Sequence, residues 1–202
     1  MIKSSDFFKA CCDGHNWAES TAKTVRMPEQ DYNTFTAYLQ WLYTNELVVH
    51  DKHDLERGNE LSVVERMRIS KLSYITLLEL AVLADTLIDV AFSNIIVDEM
   101  IRTWQYLNEL PGHESIRRVY KGLPDSSTIR KMFVDVWCAS SSEATMRIWL
   151  PTFPKAFTVD LVLAFKLATS ERSKKLKFSW EDRCKYHTHD DKTPKTTDCD
   201  KK

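Results

Sequence analysis

The stretch Cys184-Lys185-Tyr186-His187-Thr188-His189 spaces three metal-binding side chains as C-x2-H-x-H, and Cys199 follows after nine intervening residues. Thiolate and imidazole are the donors that zinc prefers, and four of them complete a tetrahedron. In extended backbone, residues two apart point to the same side, so His187 and His189 are placed to share one ion. Four protein ligands leave no open position for a substrate. Zinc held by Cys184, His187, His189 and Cys199 would therefore be structural, ordering a segment that has little else to order it. The alternative for the same residues is a solvated tail that binds nothing.

Other clusters of reactive residue types carry less. Cys11 and Cys12 lie close to Asp13 and His15, a thiol–carboxylate–imidazole set on paper. Phe7, Phe8, Cys11 and Cys12 share one helical face, however, and free cysteine commonly behaves as a small buried hydrophobe. The expectation is core packing. His50, Asp51, His53 and Asp54 fall in a polar stretch where mixed charge is ordinarily solvated. Arg172 to Lys177 reads as cations drawn to a helix C-terminus rather than as an import signal. No glycine-rich phosphate loop, G-x-S-x-G or H-E-x-x-H is present. The carboxylate pairs Glu181-Asp182 and Asp190-Asp191 are adjacent in a polar segment with no enclosing apolar residues. An enzyme is not expected.

The totals set outer limits. In 202 residues, 28 Lys and Arg stand against 29 Asp and Glu, which gives no cationic excess for a nucleic-acid surface. No apolar run approaches the roughly 20 residues of a membrane helix, and no signal-peptide core follows Met1. Five cysteines, an odd number without framework spacing, point to a reducing compartment inside the cell, cytoplasm or nucleus. Only 4 Gly and 6 Pro favour helix over a turn-rich sandwich.

Several elements must position these groups. Ser5 is placed to cap a short helix through Cys12, with Gly14 as its stop. Thr24 to Met27 leaves room for a short extended segment before Pro28. Asp31 can cap a helix whose buried stripe is Phe35, Tyr38, Leu39 and Leu42. His50 to Glu60 reads as a loop through Gly58 and Asn59. From Lys71 a helical stripe of Leu77, Leu78, Ala81 and Val82 ends near Asp85. Phe92, Ile95, Ile96, Met100, Trp104 and Leu107 form the next, broken by Pro111 and Gly112. A short helix through Ile116, Val119 and Tyr120 stops at Pro124. A Ser126/Ser127 cap opens the run Ile129, Met132, Phe133, Val136 and Trp137. Pro151 and Pro154 mark a connection to a last helix through Phe157, Leu161, Ala164, Phe165 and Ala168. Trp41, Trp104, Trp137 and Trp149 lie in or beside these stripes and read as core. From Glu181 to Lys202 there is no aliphatic side chain, so this tail is not expected to add much to a core.

Taken in order, "SSDFFKACC", "WAES", "VRMPEQD" and "FTAYLQWLYTNEL" resemble the BTB/POZ domain, from Ser4 to about Trp104. The segment Leu77 to Ile101 resembles the two C-terminal helices of that domain. "IRRVYKGLPDSSTIRKMFVDVW" and the tail "CKYHTHDDKTPKTTDC" look like segments of fungal BTB-containing proteins. The family's domain opens with a β-hairpin and a helix that have no counterpart here. The resemblance therefore implies an N-terminally incomplete BTB/POZ-like helical cluster with a remnant of small β-sheet and an unpaired edge near Thr24 to Met27.

The resulting expectation is an α+β, mainly α chain in three parts. Residues 1–108 are the partial BTB/POZ-like domain, 109–180 a helical C-terminal region, and 181–202 a polar tail with the Cys/His clip. The resemblance implies protein–protein interaction: a homodimer, or an adaptor that meets a cullin-type scaffold in a ubiquitin ligase. Tyr43, Glu46 and Leu47, after the Phe35-led helix, are the contact candidates. Two other readings stand beside it. One is a small zinc-binding structural module centred on the tail, and the other a truncated product without independent function.

Overall fold

Asp31 opens a 13-residue helix near the N-terminus. Its side chain accepts from the Thr34 amide at 2.9 Å, which satisfies one of the donors a helix start leaves unpaired. This computed structural model describes residues 5–12, 21–22, 24–49, 60–170 and 183–189. Among them are eight α-helices: α1 (Asp6–Cys12), α2 (Tyr32–Thr44), α3 (Val63–Thr86), α4 (Val90–Leu107), α5 (His113–Gly122), α6 (Thr128–Ser140), α7 (Glu143–Trp149) and α8 (Lys155–Ser170).

The mainly helical reading holds, and the expected remnant of sheet does not form among the described residues. Residues 24–27 are non-helical and have no ladder partner. A strand needs a neighbour for its N–H and C=O groups, and none of the described segments supplies one. Val25 and Met27 instead lay their side chains against the helical core.

The centre of the fold is the hairpin of α3 and α4, joined by only Leu87, Ile88 and Asp89. Ile88 takes a left-handed φ of 49°, an unfavourable geometry for a β-branched residue. That turn receives α1. Ser5 Oγ donates to the Leu87 carbonyl at 2.6 Å and accepts from the Phe8 amide at 3.3 Å. The Phe7 amide also donates to the Leu87 carbonyl, at 3.3 Å. So the first turn of α1 is fastened to a turn more than 80 positions away, and Phe8 and Cys11 are buried beneath it.

Asp89 fastens α2 to the same hairpin. It caps α4 by accepting from the Phe92 amide at 3.1 Å, and its second oxygen accepts from the Tyr38 hydroxyl at 2.9 Å. Both residues are buried. Phe92 packs edge-on against Tyr38 and tilted against Trp41, which continues the cluster into α2.

The long helix α3 begins at Val63, well before the Lys71 expected from its apolar stripe. Its first two turns expose Val63, Val64 and Met67, so they carry no inward stripe for a periodicity to detect. The start is set locally: Ser62 and Glu65 form a reciprocal capping box. Helix α7 is likewise absent from the apolar pattern because it buries no residue. It is started by Ser142, which accepts from the Thr145 amide at 3.1 Å.

No break in the core falls at residue 108. Tyr74 of α3 meets Phe133 of α6 edge-on at 5.8 Å, and one apolar cluster runs from Phe8 to Leu161 and on to Tyr186. At the α5 end, Gly122 lies so close to α3 that an added Cβ would stand 2.8 Å from the Val82 side chain. Arg130 of α6 then ties the α5–α6 turn together. It lies 4.5 Å over the Tyr120 ring, donates to the Tyr120 and Leu123 carbonyls, and pairs with Asp125. Trp137, Phe153 and Phe157 pack edge to face where α8 returns onto α6.

Candidate functional site

Tyr186 is fully buried, although the tail around it has no aliphatic side chain. This corrects the expectation that the tail adds little to the core. A short 3₁₀ turn at Arg183–Lys185 delivers the ring, with the Tyr186 amide donating to the Arg183 carbonyl at 2.9 Å. The aromatic body supplies the buried area, and the hydroxyl finds a partner, as a buried tyrosine requires. It donates to Asp135 Oδ2 of α6 at 2.9 Å, and Lys185 Nζ reaches the same oxygen at 2.7 Å.

On the other side the segment is held by α4. Asn94 and Asp98, one helical turn apart, face it together. The Asn94 amide donates to the Thr188 carbonyl at 3.0 Å, and its carbonyl oxygen accepts from the Thr188 amide at 2.9 Å. Asp98 Oδ1 lies 3.1 Å from His187 Nε2 and 3.6 Å from Arg183 Nη1.

Within this clamp the ligand atoms of Cys184, His187 and His189 all lie within 4.8 Å of one another, each half-buried. Three of the four residues read from the sequence as ligands are therefore brought together. Cys199 lies outside the described residues. A tetrahedral zinc shell puts its N and S atoms roughly 3.5 Å apart, so side-chain adjustments of about 1 Å would close the set on an ion. The donors fit zinc and do not fit calcium or magnesium, which take oxygen ligands.

The remaining sulfur chemistry is quieter. Cys11 is buried at the end of α1, consistent with packing. Cys138 is half-buried, and desolvation, with the nearby Asp135 charge adding to it, pushes its thiol up to about 12. Such a thiol is a poor nucleophile. Asp13, His15, the His50–Asp54 cluster, Glu181-Asp182, Asp190-Asp191 and Arg172 to Lys177 lie outside the described residues.

Of the contact candidates, Tyr43 is 83% exposed and Glu46 is exposed, whereas Leu47 is buried at 9%. Leu47 thus turns inward to the core and is removed from the outward set. Tyr43 instead belongs to a row that the sequence reading did not pick out. Tyr32, Thr36, Gln40 and Tyr43 recur at helical spacing and are all exposed, with Tyr32 at 80%. An open groove of about 1030 Å³ runs between the start of α2, the middle of α3 and α5. On its wall Arg118 bonds Glu79 at 2.9 Å and Glu114 at 3.2 Å.

Asp98, Asn94 and Asp135 went unnoticed in the sequence because each sits inside a helix whose apolar stripe dominates its pattern. The available signal was Tyr186, the one aromatic residue of the tail, set between two candidate ligands. No family model matches the chain, and no curated protein or solved structure does either. No helix among the described residues is long and apolar enough to cross a membrane.

Proposed function

We propose that this chain is a protein–protein interaction module of the BTB/POZ type, acting by surface burial without bond chemistry. The observation that carries the reading is the outward face of α2, where Tyr32 and Tyr43 stand exposed at the two ends of the row completed by Thr36 and Gln40. Tyrosine offers a large apolar body with a polar tip and loses few rotamers on contact, which is why it is enriched at interface centres. The inner face of the same helix is tied into the core through Tyr38 and Trp41, so the outer row is presented on a rigid support. The order of an amphipathic helix, a turn at Asn45 and then a helical hairpin falls on the residues that carry the resemblance. By that resemblance the partner is a second copy or a cullin-type scaffold, and Tyr43 and Glu46 are the contact residues.

Light scattering across a concentration series and calorimetric titration with a cullin N-terminal domain test this. Self-association or cullin binding is expected, weakened at least about tenfold by Tyr43→Ala while the helical signal is unchanged. A chain that stays monomeric and binds no cullin, or binding indifferent to both Tyr43→Ala and Tyr32→Ala, would overturn it.

A further inference from the structure

We propose that Cys184, His187 and His189 bind one zinc ion, and that Asp98 of α4 acts as the positioning residue for His187. The ion would then staple residues 183–189 across α4 and α6.

Three observations converge on this. The ligand atoms of the three residues lie within 4.8 Å of one another, and thiolate and imidazole are the donors that zinc prefers. Asp98 Oδ1 sits 3.1 Å from His187 Nε2, the carboxylate–histidine arrangement that fixes the tautomer of a metal-bound imidazole. Finally, Thr188, the residue between the two histidines, has both backbone groups clamped by Asn94. That clamp holds the spacing of His187 and His189 before any ion arrives, which lowers the ordering cost of binding.

The consequence is coupling between metal and fold. The segment that carries the ligands also carries Tyr186 into the core, so an ion that holds the one retains the other. This stapling does not depend on what α2 contacts.

The test uses the full chain, stripped with chelator and then titrated with zinc against a chromophoric competitor, and in parallel with Co²⁺. One ion per chain is expected. Cobalt should show the visible bands of a tetrahedral site and a thiolate-to-metal charge-transfer band. Zinc at a hundredfold excess over its Kd should raise Tm by about 5–10 °C. Cys184→Ser should diminish the charge-transfer band and weaken zinc binding. Asp98→Ala should weaken zinc binding about 10–100-fold. If both variants keep the wild-type Tm in chelator, these losses belong to the metal site and not to general unfolding. A folded chain without the charge-transfer band, or zinc affinity unchanged in Cys184→Ser, overturns the site. Wild-type affinity in Asp98→Ala overturns the role of Asp98.

Discussion

The Tyr186 hydroxyl donates to Asp135 Oδ2 at 2.9 Å across 51 positions of sequence, and both residues are buried. This bond docks the C-terminal segment on α6 from inside the core. Tyr186→Phe keeps the ring and removes the bond, and Lys185 still faces the carboxylate at 2.7 Å. A loss of about 1–2 kcal/mol is expected in urea denaturation. Tyr186→Ala also removes the buried ring, a change that costs roughly 3–5 kcal/mol in a packed core. Undocking of 183–189 alone would cap the global loss below that figure, and limited trypsin digestion would then show faster cleavage at Arg183 and Lys185.

Asp89 serves two helices at once, capping α4 and accepting from Tyr38 of α2. Asp89→Ala removes the α4 cap and the bond from the Tyr38 hydroxyl, for an expected loss of about 2–3 kcal/mol. Tyr38→Phe alone should cost about 1 kcal/mol. In the double variant the penalties should fall short of their sum, because each single variant removes the same Tyr38–Asp89 bond. Denaturant midpoints for the four proteins give the coupling directly.

Cys138 should resist alkylation in the native chain. Burial and the Asp135 charge hold its thiol up at about 12, so at about pH 8 its thiolate population is on the order of 10³-fold below that of an ordinary cysteine. Mass spectrometry after brief iodoacetamide treatment should find Cys138 unmodified when folded and modified in denaturant. Ready labelling of the folded chain would contradict the burial described for α6.

Alkaline pH should destabilise the protein through two tyrosines. Burial raises the Tyr74 phenol, and burial with the Asp160 carboxylate raises Tyr120, both above the ordinary value of 10.0. The native state therefore keeps protons that the unfolded chain releases. This contribution is intact below about pH 10 and is lost progressively above it. Tyr74 accounts for at most about 1.4 kcal/mol per pH unit there, and half-buried Tyr120 for less, because solvent screens it. Tm measured from about pH 9 to about pH 11 should fall, and less steeply in Tyr120→Phe.

Much of the secondary structure was legible in advance. Asp31, Ser127 and the Phe92-to-Leu107 stripe mark helices in the right places because caps and apolar spacing are local properties. The first turns of α3 and all of α7 escaped because they bury little and so leave no periodic trace. Thr24 to Met27 has the composition of a strand, yet pairing is a property of two segments and cannot be read from one.

By itself the sequence determined most of the helices, the donor types at Cys184, His187 and His189, and the aromatic character of α2. Each follows from residue type and short-range spacing. Only the tertiary structure decided that Leu47 turns inward while Tyr43 turns outward, that Tyr186 enters the core, and that Asp98 meets His187 across 89 positions. Those pairings are set by how helices pack against one another, and packing joins residues whose separation along the chain carries no periodic signal.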